Sequence, residues 1–135
     1  MLSVKVFFRS TAGGVEYKKI YDGKMQVSEG KTVICYDEID DNGLTKTEVC
    51  IVDGDFVTVK RTGQFSNYLE FKNGHSYSGE YLTPYGKIPV EAYTRKLTVL
   101  EKNGVLLVDA QYKSSLMGEE SENEFSIKVG RAKCE

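Results

Sequence analysis

The 135-residue chain has no tryptophan, one histidine, two prolines and three cysteines. Each shortage removes a class of function. With His75 as the only imidazole and no HExxH or HxH spacing, no metal site is expected. Ser76 and Ser78 follow His75 in a plain strand pattern without a GxSxG elbow, so a Ser/His/Asp hydrolase has no frame to build on. No catalytic residue is assigned, and the reading leans away from an enzyme. The one chemical role left open is His75 with a nearby acid as a proton-transfer pair.

Cys35, Cys50 and Cys134 are odd in number, widely spaced and free of CxxC, which fits neither a disulfide framework nor a zinc site. Reduced thiols are expected, with Cys35 and Cys50 acting as small apolar side chains inside strands. Phosphate cradles of the GxGxxG or Walker type are missing, so no cofactor is expected. Long apolar runs are missing too, and Met1 to Arg9 is too short a stretch for a signal peptide or a membrane span. A cytoplasmic setting follows, with no membrane partner. The formal charge is -2 and the basic residues are dispersed, which gives no footprint for nucleic acid.

What the chain does have is turn punctuation. Its 13 glycines recur about every 10 to 12 residues, the spacing of an all-β domain. Asp22-Gly23, Asn42-Gly43, Asp53-Gly54, Asn73-Gly74 and Asn103-Gly104 are pairs that favour tight hairpin turns. Between them, alternating β-branched and aromatic runs predict ten strands near Leu2–Ser10, Val15–Val27, Thr32–Asp40, Leu44–Val52, Phe56–Thr62, Ser66–Lys72, Ser76–Leu82, Gly86–Glu101, Val105–Leu116 and Ser121–Val129. Leu106, Val108, Ala110, Tyr112, Ser114 and Leu116 should face one side of their strand, and Asp109, Gln111 and Lys113 the other. Helix is expected to be minor, at most a turn within Met117 to Asn123. Hydrophobic residues at 40% of the chain allow one proper core, so residues 1–135 are read as one domain. Eight to ten hairpin-linked strands close most simply into an antiparallel up-and-down barrel. The acidic stretches Asp37 to Asp41 and Glu119 to Glu124 read as solvated hairpin ends.

One cluster of side chains stands out as a candidate site: Arg61, His75, Tyr77, Tyr81, Thr83, Tyr85, Tyr93 and Arg95. His75, Tyr77, Gly79, Tyr81 and Thr83 share a strand face by alternation, and Tyr93, Arg95 and Leu97 share a face of the next strand. If both faces line a barrel interior, rings with one or two fixed cations would select an apolar carboxylate or a flat ring. The competing reading has the tyrosines filling the core and Arg61 and Arg95 pairing outward with acids.

The stretch Gly79-Glu80-Tyr81-Leu82-Thr83-Pro84-Tyr85-Gly86-Lys87-Ile88, followed by Val90, Thr94 and Leu97, resembles the signature of the YwiB-like family. Arg61, Gly63, Leu69 and Phe71 upstream are similar to that family's pattern as well. The resemblance implies a bacterial, cytoplasmic, lipocalin-like (calycin) barrel with no established activity. Pro84 and Gly86 are explained by a sharp turn, whereas Tyr81, Thr83 and Tyr85 are kept as site candidates. Pro89 marks an edge, bulge or bend in the strand that follows. Two readings of function stand: a barrel binding a small, partly apolar ligand oriented by Arg61, Tyr81 and Arg95, and a closed-core module whose outer face meets another protein or its own copy as a homodimer.

Overall fold

A computed structural model describes residues 1–41 and 43–131 of the chain. It contains ten strands: β1 (Leu2–Ala12), β2 (Val15–Ser28), β3 (Lys31–Asp40), β4 (Gly43–Val52), β5 (Phe56–Thr62), β6 (Asn67–Phe71), β7 (Ser76–Thr83), β8 (Gly86–Lys102), β9 (Val105–Leu116) and β10 (Glu119–Arg131). All pair antiparallel in the order β6-β5-β4-β3-β2-β1-β10-β9-β8-β7. Every sequence neighbour but β6 and β7 is a ladder partner, and β1 also pairs with β10, so the meander rolls into a nearly closed up-and-down barrel of calycin-like form. No described residue is helical; Met117 and Gly118 form a tight turn, and Glu119 already begins β10. Accordingly no helix among the described residues is long and apolar enough to cross a membrane.

Turn chemistry accounts for much of this connectivity. Asp53-Gly54 and Asn103-Gly104 place both central residues at positive φ, the geometry whose twist matches paired strands. Met117-Gly118 does the same without a sequence signal, since methionine has no preference for that region. Asn42 lies outside the described residues. Asp22-Gly23 is not a turn at all but the middle of β2. A Cβ at Gly23 would stand 2.8 Å from the Cys35 carbonyl oxygen and 3.2 Å from the Val6 side chain, so the glycine serves a close approach of β2 to β3.

The alternating inner faces form the core. Val4, Val6, Ile34, Val49, Ile51, Val57, Val108 and Val129 are buried and fill one end of the barrel. Val108 and Ala110 point inward and Gln111 and Lys113 outward, as the sequence pattern predicts. Each fully buried Val or Ile contributes about 1.5–3 kcal/mol relative to exposure. Toward the other end the inward side chains become aromatic and polar. Cys35 and Cys50 are free thiols, half-buried and buried respectively, and Cys134 lies outside the described residues.

Closure between β6 and β7 is the weakest junction. Two backbone bonds of 2.8 Å, exchanged by Ser66 and Leu82, are joined by the Asn73 amide, which accepts from Leu97 N–H at 2.7 Å and donates to its carbonyl at 3.3 Å. Pro89 lies where β8 pairs with β7 but has not yet met β9, so its missing N–H breaks no second ladder. Gly23→Ala should cost about 1–3 kcal/mol, because the added methyl must displace a backbone carbonyl rather than a flexible side chain. Urea unfolding of the purified variant against the wild type measures this.

Candidate ligand-binding cavity

The interior of the barrel is not filled throughout. At the end formed by the close of β1, β3 and β5 and the start of β2, β4 and β6, a cavity of about 480 Å³ remains. Val59, Leu69, Phe71, Tyr112, Phe125 and Ile127 contribute its apolar lining. Phe71 packs edge-on against Tyr112 and Phe125, with centroids 4.9 and 5.1 Å apart, the orientation aromatic quadrupoles favour. Tyr17, Lys19, Tyr21, Tyr36, Glu38 and Arg61 line it on the polar side.

Strand register explains how these polar groups converge. Val4, Gly23, Tyr36, Thr47, Arg61 and Asn67 are successive cross-strand partners on β1 to β6, and all share the inner face. Glu38 stands two residues beyond Tyr36 on β3 and so points inward as well. Its carboxylate accepts from Tyr21 O–H at 3.0 Å, Thr47 O–H at 2.7 Å, and Arg61 Nε and Nη2 at 3.1 and 2.7 Å. Only 12% of the Glu38 side chain is exposed, against 44% of Arg61. Charge-assisted bonds of this kind are about twice as strong as neutral ones, and they hold the acid in place. Tyr21 stacks on Tyr36 with centroids 4.7 Å apart. Burial, first, pushes the Tyr21 and Tyr36 hydroxyls well above the usual phenol range, and the nearby Glu38 charge adds to this in both.

Residues 5–128 match the family described as "Domain of unknown function (DUF1934)". The chain belongs to this family. A solved structure, the ywiB protein from Bacillus subtilis, superposes with a TM-score of 0.83 at 19% identity, covering 98% of this chain and 93% of that one. That likeness shows the fold alone. Among curated proteins none matches.

The candidate residues read from the sequence of this DUF1934 barrel separate into four places. Arg61 is in the cavity. His75 and Tyr77 instead cover Tyr68 and Glu70, which point away from the cavity on β6: His75 Nε2 lies 3.0 Å from Glu70 Oε1, Tyr68 donates to Glu70 Oε2 at 2.9 Å, and the Tyr68 and Tyr77 rings meet edge-on at 5.6 Å. Tyr81 on the same face packs near Phe65 at 6.2 Å. The face of β7 thus laps over the outside of β6 instead of lining the lumen. Thr83 serves the turn, accepting from Tyr85 N–H at 3.1 Å and donating to the Gly86 carbonyl at 2.9 Å, while the Tyr85 ring is 94% exposed.

Tyr93 and Arg95 do not share a face with Leu97. The β8–β9 register shifts between Thr94 and Lys96, leaving Arg95 as the extra residue of a bulge. Inward parity therefore passes from Thr94 to Leu97, and Arg95 forms a two-pronged pair with Glu122 on the outside, at 2.9 and 2.6 Å. Tyr77 and Tyr93 border a second depression of about 330 Å³ with Lys113 and Glu120. Sequence reasoning missed Glu38, placed with the solvated acids, as well as Tyr17, Tyr21 and Tyr36. The Ile34, Tyr36, Glu38 alternation was the signal available for the acid.

Burial, followed by the Glu70 hydrogen bond, pushes the Tyr68 hydroxyl up to about 12 from its usual 10.0. Burial raises Tyr77 and Tyr112 as well. Above pH 10 the unfolded chain releases the Tyr68 proton while the folded one retains it, so the Tyr68 contribution to stability is complete below pH 10 and is lost as pH rises through 12. Urea midpoints measured from pH 9 upward should fall, and Tyr68→Phe should flatten part of that slope.

Proposed function

We propose that this DUF1934 barrel binds a small, partly apolar ligand in its interior and performs no chemistry on it. The observation that supports this is the 480 Å³ cavity itself, within the usual range for small-molecule sites of about 300–1,000 Å³. A barrel evolved only for a closed core would bring larger side chains to Val59 and Asn67, which line the space. Aromatic rings on one side and a hydrogen-bonded carboxylate–guanidinium pair on the other make the lining amphipathic. Of the three residues first expected to orient a ligand, the reading rests on Arg61; Tyr81 and Arg95 do not line the cavity. A cytoplasmic setting belongs to the same proposal, and the free thiols of Cys35 and Cys50 suit a reducing compartment.

A second reading is favoured by the outer face. Ile20, Phe7, Lys128, Leu107 and Leu100 are successive cross-strand partners on β2, β1, β10, β9 and β8, and Ile20, Phe7 and Leu100 are exposed. Such a row suits contact with a protein or a second copy of the chain, although Lys128 interrupts it.

Native mass spectrometry of protein purified from its own host should show a small bound mass that denaturation releases. Val59→Trp, which fills the cavity, should abolish the adduct while the protein stays folded by circular dichroism. A chain free of small molecules but dimeric, or carrying a second protein, would overturn the binding reading in favour of the outer face.

A further inference from the structure

The hydrogen-bonding groups at the cavity mouth restrict what head group a ligand there would present. Glu38 accepts four bonds, three of them on Oε2 from Thr47 and Arg61 and one on Oε1 from Tyr21. Tyr21 has one hydroxyl proton and directs it to Glu38, so in the 3.4 Å contact between the two hydroxyls it is Tyr17 that donates. The hydroxyl donors of Tyr17, Tyr21 and Thr47 are therefore all committed to the acid, directly or through Tyr21.

Arg61 is different. It has five N–H groups, of which Nε–H and one on Nη2 reach Glu38, leaving three without a protein partner among the described residues. Lys19 lines the same mouth and has no carboxylate partner among the described residues. Of the other acids at the mouth, Glu124 lies 3.9 Å from Arg9, and Asp40 also makes an interaction. The charged groups at the mouth that remain uncommitted, the free edge of Arg61 and the Lys19 ammonium, are both cationic donors.

We propose that the ligand is an amphipathic monocarboxylate, its head group held by the free N–H edge of Arg61 with Lys19 beside it, and its apolar body laid against Phe71, Tyr112 and Phe125. This rests on the reading of the cavity as a ligand site. A carboxylate brings one charge to these donors, whereas a phosphate dianion would bring a second charge toward Glu38. A cavity of 480 Å³ is the volume of about sixteen liquid waters, which sets the body at about a dozen non-hydrogen atoms.

The test is calorimetric titration of the full chain with decanoate, decanol and decylamine, which share one chain and differ in head group. Decanoate should bind at least about tenfold more tightly than either of the others. Arg61→Gln should erase that preference and leave the affinity for decanol within about twofold. Glu38→Gln should tighten decanoate binding by about threefold or more, since it removes the charge that opposes the ligand, and a gain of this kind cannot come from a damaged fold. Decanol or decylamine binding as tightly as decanoate would overturn the head-group assignment and leave the cavity reading standing. Weaker decanoate binding by Glu38→Gln would also overturn it. Binding of none of the three would remove both proposals.

Discussion

The pairing of the first strand with the last is the constraint from which the remaining geometry follows. β1 runs against β10 from Val4↔Arg131 to Ala12↔Asn123 and against β2 along its whole length, so the two ends of the meander occupy the middle of the sheet. The sheet must then close at its far edges, where β6 is the shortest strand and β7 follows it after a short turn. Closure there is supplied by few backbone bonds, by the Asn73 side chain standing in for a strand partner of Leu97, and by rings of β7 packed over the outside of β6. Rings and amides do at this seam what a ladder does elsewhere. A sheet of ten strands also encloses more space than one layer of valines fills, and the surplus collects at one end.

That end is built for something other than maximum stability. Burying the Glu38 carboxylate costs desolvation that an apolar residue of similar volume would avoid. Glu38 and Arg61 are nevertheless held at two bonds to each other, with Thr47 and Tyr21 completing the acid's shell. Departures from the best local choice tend to gather at functional positions. Here the departure occurs on the inner face of β3 and β5, two residues beyond positions occupied by Tyr36 and Val59, in strands that otherwise alternate as a core strand should.

Much of the fold was legible because it rests on local rules. Glycine pairs at positive φ mark Asp53-Gly54 and Asn103-Gly104, and alternation places Val108 and Ala110 inside. These two signals bound most of the strands, while the Met117-Gly118 turn has no Asn or Asp before its glycine and the Asp22-Gly23 pair lies inside β2. The site was less legible, for three reasons that lie outside local pattern. The bulge at Arg95 inverts the parity of β8, so a face assigned by counting in twos fails beyond Thr94. The overlap of β7 on β6 turns an expected lumen face into an outer layer, which depends on how the sheet closes. Glu38 sits in a run of acids that reads as solvent-facing, and only its partners on β2, β4 and β5 reveal the inward position. Arg61 stands out in the sequence as a cation among the mid-chain tyrosines and in the family resemblance, while its inward position follows only from the β4–β5–β6 register.

The account stands most directly on where a ligand binds, and methyl-resolved NMR of the full chain titrated with decanoate answers that. Val59, Leu69 and Ile127 line the cavity, whereas Ile20, Leu100 and Leu107 lie along the outer row. Saturable shifts confined to the first three methyl groups are the expected result. Shifts along the outer row with the cavity methyls unchanged would contradict the account and make the outer face the site of interaction.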